Sequence, residues 1–332
     1  MPKPMEQIKH VRLGPLNLVT APKGRALRLF ENRLTAARRA RQDARQPVVK
    51  EQRVTREELD RLAAKDPAAA AIVDQIRGLM WYHTIDLGHG VRTPGFVDHR
   101  AQLPLYGLPE SMEGMRCLDI ATFDGYFAFE FERRGSTDVV AIDVANKADI
   151  DCPKMMLRDV EGVGLSGPTG ASFKAAQSIL GSKVQRVERS VYDLDPEVDG
   201  MFDFVFISDV LIHLRDPQLA IEKAFSVCRG QLMIADLYSP ELSALGNVPA
   251  AQFLAPGEPW WYMNVACLRQ MMLVAGFDPV TEVNRFVLDA IGGQYLHKVV
   301  LRGTPAANPA WFVKMLADRA GSNQRKKDAR TS

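Results

Sequence analysis

From about Arg116 onward, short apolar runs alternate with helix-length segments, a pattern that predicts an α/β fold on a mostly parallel sheet. The chain then closes with two strand-like runs, 280–288 and 295–302, joined through Gly292 and Gly293 with no helix between them. A hairpin added to a parallel sheet introduces one antiparallel strand near the edge. Residues 26–80 read largely as helices. The expected architecture is a mostly parallel sheet with one antiparallel strand near its edge and a helical N-terminal extension.

Residues 1–24 contain Pro2, Pro4, Pro15 and Pro22 without a sustained period and read as extended. Over 26–45, Leu27, Phe30, Leu34 and Ala37 recur at helical spacing among many arginines, which predicts a basic amphipathic helix. Thr55 and Glu58 have capping-box spacing ahead of Leu59, Leu62 and Ala63. Asp66 followed by Pro67 reads as an N-cap opening a further helix with Ile72, Val73, Ile76 and Leu79 on its apolar side. An all-helical N-terminal third results.

The alternating part then runs as strand 117–120, helix 126–134 ending at Gly135, strand 139–144, strand 204–208, helix 217–228 and strand 232–235. This divides the chain into a basic, largely helical extension (1–80), a connector or lid (81–110), the α/β domain (111–304) and a C-terminal tail (305–332).

At 332 residues the chain has room for one large α/β domain with appendages or for two modest ones. Apolar residues at 46% and charged residues at 25% give it enough core to fold as a globular protein. Cys117, Cys152, Cys228 and Cys267 stand singly, which argues against a zinc cluster or a disulfide scaffold and for a reducing compartment. No run of some 18 apolar residues and no secretory signal is evident, so the expected location is the cytosol, with no membrane partner. No His/Asp/Glu cluster has ligand spacing, so no metal is expected.

The net charge of +2 hides an asymmetry. Residues 1–56 hold fourteen basic and four acidic side chains, a net +10 that leaves −8 for the remainder. Arg325, Lys326, Lys327 and Arg330 form a second basic cluster. The N-terminal arm has four readings: a grip on nucleic acid, contact with an anionic membrane, docking on the chain's own acidic body, or an organelle transit peptide, against which its scarcity of Ser counts.

Open α/β sheets bind ligands at the carboxyl ends of their strands, which directs attention to Leu118-Asp119-Ile120-Ala121-Thr122-Phe123-Asp124-Gly125. Gly125 permits close backbone approach just before a helix, and Asp143, eighteen residues on, ends the next strand where an acceptor for ribose hydroxyls would sit. A pyrophosphate-binding loop would carry more glycine and less acid. Asp119 and Asp124 suit instead a ligand with an amino or sulfonium group. The competing reading is an ordinary strand end and turn.

These residues resemble the class I S-adenosylmethionine-dependent methyltransferases. Further stretches are similar to one branch, the tRNA wobble-uridine methyl- and carboxymethyltransferase-like proteins: Trp81-Tyr82-His83-Thr84-Ile85-Asp86-Leu87 with Thr93-Pro94-Gly95, Glu130-Phe131-Glu132-Arg133-Arg134-Gly135, Tyr192-Asp193-Leu194, and Asp209-Val210-Leu211-Ile212-His213-Leu214-Arg215-Asp216-Pro217. Trp260-Trp261 with Asn264 and Gly276-Phe277 extend a resemblance that spans about 78–302. The chain departs from the family at Ala121 and Phe123, where glycines are commonest.

The resemblance implies a Rossmann-like class I methyltransferase sheet and S-adenosyl-L-methionine as cofactor. It implies that Asp119 and Gly125 frame the methionine part, that Ala121 and Thr122 line it, that Asp143 takes the ribose hydroxyls and that Tyr192 and Asp193 lie at the adenine. Ser208 and Asp209 would face the transferable methyl, with Asp209 and His213 the catalytic candidates. His213 is a candidate base, or else a structural residue ahead of the helix at Pro217. Tyr82 and His83 would form a lid facing cofactor and substrate, or His83 is structural. Trp260, Trp261 and Asn264 would receive the acceptor, unless the aromatics anchor a core. Carboxymethylating members hold the extra carboxylate with an aromatic hydroxyl and an arginine; this chain has Ile212 and Met263 there, which favours the plain cofactor.

Three functions follow: methyl transfer to an O or N atom of a small or medium-sized organic molecule, methyl or carboxymethyl transfer to the wobble uridine of a tRNA held by the basic arm, or a non-catalytic cofactor-binding regulatory partner. The acidic body favours the first.

Overall fold

The computed structural model describes residues 54–153, 168–254, 259–290, 294–309 and 312, together with three strand segments closer to the N-terminus. Those segments are β1 (Lys9–Leu13), β2 (Leu16–Thr20) and β3 (Val48–Lys50). They correct the expectation of an all-helical N-terminal third. β1 and β2 pair antiparallel, and β3 runs parallel to Val287–Asp289 at a sheet edge whose backbone groups would otherwise lack partners. The helix expected over 26–45 lies outside the described residues.

The remaining strands are β4 (Arg116–Ile120), β5 (Asp138–Asp143), β6 (Gln185–Glu188), β7 (Phe202–Ser208), β8 (Cys228–Leu237), β9 (Ala251–Phe253), β10 (Trp261–Met263), β11 (Phe277–Ala290) and β12 (Gln294–Pro305). The main sheet has the order β3-β11-β12-β8-β7-β4-β5-β6. Every neighbouring pair is parallel except those of β12, which is antiparallel to both β8 and β11. One antiparallel strand near the edge is what the terminal hairpin predicted.

Six helices of eight residues or more are described: α1 (Arg56–Ala63), α2 (Pro67–Ile76), α3 (Tyr126–Arg133), α4 (Ala171–Leu180), α5 (Pro217–Val227) and α6 (Val265–Ala275). The caps expected for the first two form. Thr55 Oγ1 accepts the Glu58 amide at 3.1 Å, and Asp66 Oδ1 accepts that of Ala68 at 2.9 Å. Sequence reading passed over α4 and β6. Helix α4 starts at Gly170 with no capping side chain, and β6 reads Gln-Arg-Val-Glu, with one apolar residue in four.

Both faces of the sheet are covered, which explains why its central strands are near-continuous apolar runs. Alternation along β7 sends Phe204 and Phe206 toward α3 and the connector, where Phe127, Phe131, Tyr106 and Phe286 pack. Val205 and Ile207 point the other way, toward Ile221 of α5 and Leu268 of α6.

The connector, 81–110, wraps over the carboxyl end of β4 with little regular structure beyond a 3-10 turn at Leu103–Tyr106, and side chains reinforce its few backbone bonds. Thr93 Oγ1 accepts the Ile85 amide at 2.7 Å and donates to the His83 carbonyl at 2.6 Å. Gly95 lies so close to this turn that a Cβ there would sit 2.2 Å from the His83 carbonyl carbon. That contact gives a physical reason for glycine in Thr93-Pro94-Gly95. Gly95→Ala is expected to cost about 3 kcal/mol through overpacking against rigid backbone. A urea titration checks it; an unchanged midpoint would mean the connector has slack.

Candidate active site at the carboxyl ends of the strands

The loop after β4 turns through three left-handed residues: Ala121 (φ 59°), Phe123 (φ 49°) and Gly125 (φ 91°). Two of the three carry a Cβ, and such conformations persist in L-residues only where surroundings enforce them. Asp143 is one enforcer. Its Oδ2 accepts the Phe123 amide and its Oδ1 that of Val144, both at 2.8 Å. Burial raises the Asp143 pKa from the ordinary carboxylate range, partly offset by those amides.

Asp119 is buried, accepts Thr122 Oγ1–H at 2.7 Å, and is pushed up to about 7 by desolvation. Asp124 is fully buried; its Oδ2 accepts the amides of Tyr82 (2.9 Å) and His83 (2.8 Å), and its Oδ1 lies 2.5 Å from His83 Nδ1. The loop and the connector are thereby locked together.

Beside this loop opens a cavity of about 320 Å³ at the ends of β4, β5, β6 and β7. Ile120, Ala121, Ile142, Asp143 and Val144 line one side, 148–152 another, and Arg189, Ser190, Val191, Tyr192, Val210, His213, Leu214 and Arg215 the rest. An apolar slot with one strand-end carboxylate has the chemistry to take a nucleoside: apolar side chains for a purine and Asp143 for vicinal hydroxyls. Each Asp143 oxygen holds one amide and keeps a lone pair free for a hydroxyl.

The structure brings Ala121, Asp143, Tyr192 and His213 together on this cavity, with Asp119, Thr122 and Gly125 in the adjoining loop. It does not bring Asp193 there; the lining passes through Ser190, Val191 and Tyr192 instead. Ser208 and Asp209 stand two positions and one position before Val210 and turn into a different environment.

That environment was not read from the sequence. Lys298 of β12 is completely buried, and its ammonium donates to Asp209 Oδ2 (2.6 Å), Tyr106 Oη (3.0 Å) and Ser208 Oγ (3.4 Å). Tyr106 Oη lies 3.0 Å from His99 Nδ1, and His99 Nε2 lies 3.8 Å from Asp209 Oδ2. With Lys298 donating to the phenol oxygen, the phenol proton points to Nδ1. Burial first, then the charges of Lys298 and His83, hold His99 well below the ordinary imidazole range, so the ring is neutral with its proton on Nε2. Neither His99 Nε2 nor Asp209 Oδ1 has a hydrogen-bond partner. Asp236 sits behind the group, accepting the amides of Leu211 and Leu237 at 2.8 and 2.7 Å; burial and the nearby Asp209 push it up to about 7. A lysine in an apolar strand and a histidine in a loop carry no signal until β12 pairs with β8 and sets Lys298 opposite Leu237.

The residues expected to meet the acceptor have other partners. His83 is buried against Tyr126 (centroids 5.2 Å) as well as Asp124, which makes it a wedge inside the connector. Tyr82 is half-buried and clusters with the exposed Phe96 and Phe123. Asn264 caps α6: its Oδ1 accepts the amides of Cys267 and Ala250, and its Nδ2 donates to the carbonyls of Leu242 and Val248. All four of its bonding positions are filled, so it is a scaffold residue and not a contact for the acceptor. Trp260 Nε1 donates to the Asp151 carbonyl (2.6 Å) and Trp261 Nε1 to that of Arg215 (3.2 Å), which ties both indoles to residues that line the cavity. Among the described residues no three His, Cys, Asp or Glu side chains are grouped to hold a metal ion, and no helix is long and apolar enough to cross a membrane.

A family model described as "Methyltransferase domain" matches residues 50–282. The chain belongs to this methyltransferase family. The methyltransferase is similar to the N-terminal domain of EvdMO1 crystallised with SAH (17% identity, 76% of this chain and 98% of that one, TM-score 0.43). It is also similar to 1,6-didemethyltoxoflavin-N1-methyltransferase of Burkholderia thailandensis (15%, 62% and 79%, 0.42). A third is magnesium protoporphyrin IX methyltransferase of Synechocystis PCC 6803 (14%, 85% and 100%, 0.40). No curated protein sequence matches the chain.

The methyltransferase's buried charges give a test. Lys298→Met leaves Asp209 and Asp236 without their cation and is expected to cost about 3–5 kcal/mol at pH 8. Asp236, raised in the folded state above its unfolded value, lends stability that is complete below about pH 4 and lost as pH rises toward 7. The variant's deficit should therefore shrink at pH 5. Thermal melts at both values check it; a deficit independent of pH would overturn the charge argument.

Proposed function

We propose that this methyltransferase uses S-adenosyl-L-methionine and moves its methyl group to an O or N atom of a small or medium-sized organic acceptor. The observation that carries the reading is the cavity beside the β4 loop, with Asp143 at its strand end and an apolar slot formed by Val144, Val191 and Leu214. Asp143 would take the ribose hydroxyls, the slot the adenine, and Asp119 with Thr122 the amino-acid end. Once bound, S-adenosylmethionine supplies an electrophilic methyl on a sulfonium.

The protein's own part is alignment and proton removal. Asp209, with Ser208 beside it and Oδ1 unpartnered, favours the role of proton acceptor at the transfer side; His213 lines the cofactor cavity and is the second candidate. In domain terms, 111–304 would bind cofactor, 81–110 would cover it, and 1–80 and 305–332 would be appendages of a cytosolic enzyme.

Ile212 and Met263 are core residues with no polar atom to offer a carboxylate, and Lys298 is committed to Asp209. Both facts support the plain cofactor over its carboxylated analogue. The wobble-uridine reading rests on the sequence resemblance and on the +10 arm at 1–56. Calorimetric titration separates these readings. S-adenosylmethionine and S-adenosylhomocysteine should bind and the carboxylated analogue should bind more weakly, whereas preference for the analogue would revive the tRNA reading, as would tRNA affinity falling steeply with salt. Binding without transfer to any acceptor would point to a regulatory partner. Asp143→Ala should weaken S-adenosylhomocysteine at least 100-fold, about 2.8 kcal/mol, and an unchanged Kd would remove the ribose assignment.

A ligand ammonium beside Asp119 favours its ionised form. With the Asp119 pKa at about 7 in the free protein, affinity should rise from pH 6 to 8 and binding near pH 7 should release a proton. Titrations in two buffers of different ionisation enthalpy measure that release; none would place the amino group elsewhere.

A further inference from the structure

The cavity wall at 148–152 is held by side chains more than by backbone ladders. It begins in a single 3-10 turn, Lys147–Asp149, and its backbone bonds are local ones, Ile150 N–H to the Lys147 carbonyl at 3.2 Å and Cys152 N–H to that of Ile150 at 2.8 Å. Its ties to the opposite wall converge on Asp151. Oδ2 accepts the phenolic O–H of Tyr192 at 2.8 Å and the backbone N–H of Arg215 at 2.7 Å. Oδ1 faces the Arg215 guanidinium at 3.3 Å, and the Asp151 carbonyl accepts the Trp260 indole N–H at 2.6 Å.

The partners are fixed in turn. Tyr192 Oη accepts the Asp216 amide at 3.1 Å, and the Arg215 guanidinium lies 5.0 Å from the centre of the Trp260 ring. Asp151, Tyr192 and Arg215 all line the cavity, so the bonds among them join its two walls. Burial, reinforced by Asp151, raises the Tyr192 pKa and keeps the phenol protonated and able to donate. The Asp151 side chain is only 18% exposed, which lets charge-assisted bonds count for more than at an open surface.

We propose that Asp151 is a positioning residue that latches the 148–152 wall across the cofactor cavity onto Tyr192, Arg215 and Trp260, and so sets how long an adenosine-bearing ligand stays bound. The proposal rests on the reading that this cavity holds the cofactor. It also gives Trp260 a role distinct from stacking on an acceptor: the indole closes the latch from outside.

The test is stopped-flow release of S-adenosylhomocysteine from the full-length protein, followed by tryptophan fluorescence, which Trp260 makes sensitive to the latch. Asp151→Ala should release the ligand at least tenfold faster with an association rate within threefold of wild type. Asp151→Asn should fall between, and Tyr192→Phe, which deletes one donor, should speed release about threefold. The ligand-free melting temperature checks that the fold is intact; should Asp151→Ala fail to fold, the other two variants carry the measurement. Release rates unchanged in variants that still bind would overturn the latch and leave the cofactor reading standing. A wild type that shows no binding heat with S-adenosylhomocysteine or S-adenosylmethionine would overturn both.

Discussion

The buried carboxylate of Asp124 organises the site from one point. By accepting two connector amides and pairing with His83, it ties the turn after β4 to a segment with little regular structure of its own. A carboxylate with several good donors is tolerated in a core, whereas the same group with a partner removed is costly. The connector thus follows the β4 loop, and with it come His99 and Tyr106, which meet Asp209 and Lys298 on the far side.

The loop shows how departures from a glycine-rich pattern are accommodated. Ala121 and Phe123 occupy left-handed backbone that glycine adopts freely. Two carboxylates offset the cost: Asp143 holds the Phe123 amide, and Asp119 holds the Thr122 hydroxyl. Gly125 is different in kind. A Cβ there would stand 2.6–2.7 Å from ring carbons of Phe129 and Phe173, so both φ and space require glycine.

Two electrically distinct compartments result. The cavity beside the β4 loop is largely apolar, with charged groups at its edges; the cluster around Lys298 is polar and mostly buried, with His99 Nε2 and one Asp209 carboxylate oxygen left unpartnered. Unpartnered buried polar atoms are rare in folded proteins, so each calls for an explanation. They lie beside the end of β7, where the fold delivers Ser208 and Asp209.

Local patterns in the chain were enough to determine the α/β class, the parallel core, the antiparallel strand of the terminal hairpin, the caps at Thr55 and Asp66, and the loop 118–125 with Asp143 after it. Each of these depends on neighbours in sequence: alternation, capping spacing, a glycine before a helix. Tertiary structure alone decided the rest. Lys298 meets Asp209 across 89 residues and Tyr106 across 192, and Trp260 meets Asp151 across 109. For the same reason the chain order could not show that Asn264 is filled by its helix cap, that His83 is a buried wedge, or that Asp193 stays off the cavity. Which side chain faces a ligand and which faces a neighbour is settled by pairing register and packing, and these come from parts of the chain far apart in sequence.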